Sequence, residues 1–146
     1  MSIITQTEIE ERIGTAETIR LTDDAGTGSA DTAVLAKIIA DGEGEVLNLI
    51  AQAYVLPLTL GDANAAAAVR AMLLDVIVFR LLMRRMPVPE DAVTAYKAAM
   101  ARAKEIATKV VGLVGETPVG TDPAGGGRIT LDSSERILTR DSMNGL

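Results

Sequence analysis

Asp23, Gly28 and Asp31 sit at the offsets of positions one, six and nine of a calcium-binding EF-hand loop, where carboxylates and one glycine wrap the ion. Position three is Ala25, position five is Thr27 and the bidentate position twelve is Val34, so the donors run out and the segment reads as a turn. A second chemical possibility is Gly125-Gly126-Gly127, which has the look of a phosphate cradle. No Lys-Ser or Lys-Thr follows it and no buried strand precedes it, so it reads as a flexible linker. The adjacent acids Glu10-Glu11 and Asp23-Asp24 form an acid/base pair only if a pocket separates their pKa values. On a helix or in a turn they are solvated charges.

The chain has no histidine and no cysteine. The commonest general base is therefore missing, Ser-His and Cys-His nucleophiles are excluded, and neither a disulfide framework nor a zinc-thiolate site can form. No catalytic, cofactor-binding or metal-binding residue is assigned, and the protein is not expected to be an enzyme. A net charge of -6 argues against tight neutralisation of a nucleic-acid backbone.

The elements that must position any site are helical. Apolar residues are 48% of the 146-residue chain but aromatics only 2%, so Ala, Val, Ile, Leu and Met must build the core, which is a helix-forming palette. Thr5 and Glu8 have capping-box spacing and Gly14 gives a stop, predicting a helix over 6–13. A short helical turn follows over 16–21. Asp31 caps a helix from Thr32 to Tyr54, in which Gly42 and Gly44 imply a bend or a close helix contact, and Pro57 ends the element.

From Ala63 to Met86 the chain is apolar nearly all round, which places that helix at the centre of a bundle or between subunits. Arg70, Asp75 and Arg80 interrupt it, so it reads as a core helix and no membrane span is expected. Arg70, Arg80, Arg84 and Arg85 fall within an arc of roughly 140° on that helix. They form a cationic face that is either a solvated stripe or a salt-bridging or interface stripe.

Pro89-Glu90-Asp91 starts a last helix, and Val93, Tyr96, Met100, Ala103, Ala107, Val110 and Val114 keep a heptad rhythm along it. The short connection favours antiparallel packing on the preceding helix. Glu105 and Lys109 are spaced to pair on its exposed side. The fold class expected is all-α: a small antiparallel helical bundle over 1–115 with an extended C-terminal arm over 116–146 that can hold a short β-hairpin. The arm mixes linker chemistry with Arg128, Ile129, Leu131, Arg136, Ile137, Leu138, Arg140, Ser142, Met143 and Leu146. Its apolar residues have no core of their own, and burial on another chain is their expected fate.

The order of these segments resembles the small head-tail connector, or adaptor, proteins of Mu-like and related tailed bacteriophages. The resemblance is carried by Thr5 to Gly14, by Leu21-Thr22-Asp23 with Gly26, Gly28 and Asp31, by Ala53 to Leu58, by Asp75 with Phe79-Arg80-Leu81, by Tyr96 with Ile106-Ala107, and most specifically by Arg136 to Leu146. It implies a dodecameric ring attached below the portal in the virion neck. The ring would extend the DNA channel, let DNA slide past an acidic lining without specific binding, and dock a stopper or tail-terminator protein. The expected location is the virion, after synthesis in the host cytoplasm; no export signal is read at the N-terminus. The other reading of the residues is a soluble dimeric interaction or regulatory module whose arm is a partner-binding peptide.

Overall fold

The computed structural model describes residues 2–120, and the arm residues named above beyond Gly120 lie outside them. Five helices follow in order: α1 Gln6–Ile13, α2 Thr15–Thr22, α3 Thr32–Ile50, α4 Ala63–Leu82 and α5 Glu90–Ala107. Among the described residues there is no extended strand, only an isolated bridge between Tyr54 and Pro118. The all-α fold class is as expected.

Local chemistry sets most of the starts. Thr5 and Glu8 close the expected capping box on α1, and Gly14, with φ 89°, turns the chain into α2. Asp31 accepts from the Ala33 and Val34 amides to cap α3, and Asp62 does the same for α4 through Ala65. Pro89 stands at the N-cap of α5, with Glu90 and Asp91 in its first turn.

Three helix ends fall short of the sequence pattern. The helix expected to reach Tyr54 stops at Ile50, because the Gln52 and Ala53 amides close tight turns onto Leu49 and Ile50, and Tyr54 pairs across to Pro118. The helix expected to reach Met86 stops at Leu82, and the Arg84 and Arg85 amides likewise bond three residues back. The rhythm expected to run to Val114 breaks after Ala107. There the Val110 amide donates to the Glu105 carbonyl and the Lys109 amide to Ile106, a Schellman close with Lys109 at φ 59°. Lys109 thus lies outside the helix, and the i,i+4 spacing expected to pair it with Glu105 is lost.

α4 packs against all four other helices, as its all-round apolar sequence requires. Asp24, ahead of α3, meets Arg84 past the end of α4, while Ala68 and Arg102 share one cleft and Leu82 and Ala92 another. α3, α4 and α5 therefore alternate in direction. The core between them holds Leu35, Val46, Ile50, Val69, Leu73, Val76, Ile77, Leu81 and Ile106, with Ile4, Ile9 and Leu21 contributed from the N-terminal segment.

Of the two glycines in α3, Gly42 supplies the close approach: a Cβ there would stand 2.7 Å from the Ile77 side chain. Around Gly44 there is open space. Gly44→Ala should therefore raise unfolding free energy by about 1 kcal/mol through helix propensity alone. Gly42→Ala should lower it by roughly 1–3 kcal/mol through overpacking against Ile77. Urea denaturation of the two variants checks the contrast. Lys109→Gly should stabilise by about 1 kcal/mol, because glycine carries no left-handed penalty.

Candidate assembly surfaces

Each arginine of the cationic face meets a carboxylate of the same chain. Arg70 pairs with Glu8 on α1 at 3.2 Å and Arg80 with Glu45 on α3 at 2.7 Å. Arg84 pairs closely with Asp24, and Arg85 reaches the same carboxylate at 3.7 Å. Arg12 on α1 adds the reverse contact to Asp75 on α4 at 3.0 Å. The stripe thus fastens α1, the turn after α2, and α3 onto α4. Exposed pairs of this kind contribute about 0–1 kcal/mol each, so their main effect is register.

The Arg80–Glu45 contact is the best enclosed of these and extends to Tyr96. Arg80 donates through Nε and Nη2 to Glu45 Oε2, and the Tyr96 hydroxyl donates to Glu45 Oε1 at 2.8 Å. The Tyr96 ring stacks on Phe79 with centroids 4.3 Å apart. Burial pushes the Glu45 carboxyl up, but the hydrogen bonds from Arg80 and Tyr96 and the Arg80 charge outweigh it and hold the pKa below its ordinary 4.5. Accepting that bond, Glu45 in turn raises Tyr96 above 10.0, with burial adding to the effect.

Two further carboxylates are buried and act as pins. Glu43 Oε1 accepts from Ser2 Oγ and from the Ile3 and Ile4 amides, tying the N-terminal segment to α3. Glu116 accepts from the Thr59 amide and hydroxyl and from the Leu60 amide, holding the loop between α3 and α4, where Leu60 has φ 48°. Beside it the Tyr54 hydroxyl accepts from the Leu113 amide at 2.8 Å. The Val55 amide donates to Thr117 and the Val119 amide to Ala53. The first residues of the expected arm, Glu116 to Val119, are thereby fastened to the bundle. Neither glutamate gives a sequence signal, since each binds backbone far away in the chain.

Asp23 spends both carboxylate oxygens on its own turn, accepting from the amides of Thr27 and Gly28. Those bonds lower its pKa and leave the calcium-like offsets as turn chemistry. Among the described residues no cluster of acidic side chains is arranged to hold a metal ion, and no helix is long and apolar enough to cross a membrane. A groove of about 540 Å³ between α4 and α5 is lined by Ala68, Ala71, Ala98 and Ala101 with Asp75, Arg102 and Glu105.

The large apolar side chains exposed among the described residues gather at the two ends of the bundle. Val55, Leu56, Val110, Val114 and Val119 lie at the end where α3 and α5 finish; Met83 and Met86 lie at the other, past α4. The sequence pattern places Val110 and Val114 in the heptad rhythm of the last helix and Met83 and Met86 within the helix from Ala63 to Met86, and the earlier helix ends leave them beyond α5 and α4 and exposed. The predicted arm residues Arg128, Ile129, Leu131, Arg136, Ile137, Leu138, Arg140, Ser142, Met143 and Leu146 all lie outside the described residues.

Two stability measurements test these contacts. Glu116→Ala should lower unfolding free energy by about 1–3 kcal/mol, by leaving the Thr59 and Leu60 amides without their acceptor. Because the folded-state pKa of Glu45 is depressed, its contribution is present above the unfolded value and lost as pH falls below about 4.5 through the folded pKa. Tyr96, whose folded pKa is raised, contributes below about 10.0 and loses that contribution as pH rises further. Thermal melting across pH should show Glu45→Gln flattening the acid limb and Tyr96→Phe flattening the alkaline one.

Comparison with known proteins returns no curated protein and no solved structure that matches this chain. A family described as bacteriophage Mu, Gp36 matches residues 4–130, which takes in all five described helices, both buried carboxylate pins and both apolar ends. With so much of its length matched, the chain belongs to the bacteriophage Mu Gp36 family.

Proposed function

We propose that this chain is a structural head-tail connector protein of a tailed-phage virion. Copies form a ring, dodecameric as the resemblance implies, beneath the portal in the neck. The ring extends the DNA channel and docks the next neck or tail protein, a stopper or tail terminator. Membership in a phage family supports a place in particle structure or morphogenesis. The observation that carries the finer reading is the gathering of exposed large apolar side chains at the two ends of a bundle. A subunit so made is suited to neighbours at both ends, since patches of this kind mark interaction sites.

The charge pattern supports the channel role. Arg12, Arg20, Arg70 and Arg80 are each engaged by a carboxylate of their own, and Arg84 and Arg85 share Asp24, so most of this positive charge is offset before any phosphate arrives. With a net charge of -6, the surface repels a passing duplex rather than gripping it.

Purified virions should contain this polypeptide at a fixed ratio to the portal, and antibody labelling in negative stain should fall at the neck. Particles made without it should accumulate as separate heads and tails. Normal tailed virions from which the chain is absent would overturn the reading.

A further inference from the structure

We propose that the apolar end formed by Val55, Leu56, Val110, Val114 and Val119 is the seat for the C-terminal segment of a second copy of this chain, residues 129–138. The inference rests on the assembly reading above and names the partner of one of the two ends.

The face is preformed. Val55 and Val119 are held by backbone bonds to Thr117 and Ala53, and Tyr54 and Glu116 fasten the same backbone from beneath. Val110 and Val114 are fixed by the Schellman close of α5 and by the Tyr54 bond to Leu113. Yet these residues stand 51% (Val55), 75% (Val110), 69% (Val114) and 46% (Val119) exposed. A rigid backbone presenting uncovered valines gives a ligand a surface that needs no reordering.

The occupant follows from where the chain leaves this face. Gly120 is the residue after Val119, and the next large apolar residues are Ile129, Leu131, Ile137 and Leu138. Residues 121–128 intervene, and they include Gly125-Gly126-Gly127. Glycine-rich chain of that length can span about 15–18 Å root-mean-square, more than the roughly 10–12 Å breadth of a helix. A segment returning to its own end would need only a tight turn, because the exit lies at the edge of the patch. The spacer instead suits a crossing to the same face of a neighbour. Repeated around the assembly, each copy gives a segment and receives one, a head-to-tail contact that closes into a ring.

The absence of native cysteine makes the test clean. Full-length chains carrying Val114→Cys and Leu138→Cys separately are mixed and mildly oxidised, both as concentrated free protein and within particles. The expected result is a mixed disulfide dimer several-fold above that from Met86→Cys mixed with Leu138→Cys. Val119→Ser in the Val114→Cys chain should cut that yield several-fold without shifting its melting temperature. A yield no higher than the Met86→Cys control within particles that contain the chain, or in concentrated free protein where particles lack it, overturns the proposal. So does a Val114→Cys/Leu138→Cys double variant that closes only within one chain. Particle composition is read separately: virions containing the chain without the crosslink sink the docking proposal alone, and a crosslink with no chain in virions sinks the neck reading alone.

Discussion

α4 has to satisfy two demands that pull against each other. Its sequence is apolar on nearly every side, so it is stable only when other helices cover it, and α1, α2, α3 and α5 all do so. Apolar contact by itself sets no register, because one aliphatic surface slides over another at little cost. The polar positions on α4 and just beyond it supply what is missing. Arg70, Asp75, Arg80, Arg84 and Arg85 each meet an opposite charge from a different part of the chain. The hydrophobic helix stabilises the bundle, and its charged edge decides how the other elements sit on it.

The same division appears in the two buried glutamates. A carboxylate taken from water is costly unless its oxygens are fully engaged, and Glu43 and Glu116 each accept several hydrogen bonds from backbone and hydroxyl donors. What they fasten are segments outside the helices: the N-terminal segment and the loop between α3 and α4. Glu116 also ties the residues that follow α5 to that loop.

The apolar ends have a simple origin. The helices of the bundle cover one another's sides, and among the described residues the large apolar side chains left exposed follow the last turns of α3, α4 and α5. Where the chain stops its helices early, apolar residues that periodicity would place in the core are delivered to the ends. Val110, Val114, Met83 and Met86 arrive there in this way. Their exposure is a consequence of the backbone, not of an unusual composition.

The sequence by itself determined the helical class, the helix starts and the identity of the central helix. These depend on local chemistry, such as the Thr5–Glu8 box, Asp31 before Thr32 and Pro89 before Glu90, and on an apolar composition that can be read without knowing any contact. It also marked the arginine face, and for Gly42 and Gly44 together it left a bend or a close helix contact as the alternatives. Only the tertiary structure decided the helix ends, the partners of the arginines and the fate of the apolar residues past those ends. Lys109 in a left-handed turn, where glycine is the usual signal, hid the end of α5. Tyr54, Glu43 and Glu116 find their partners across long stretches of chain, and Ile77 turns one of two similar glycines into a contact. Capping is written within a few residues, whereas register and exposure depend on which distant groups the folded chain brings together.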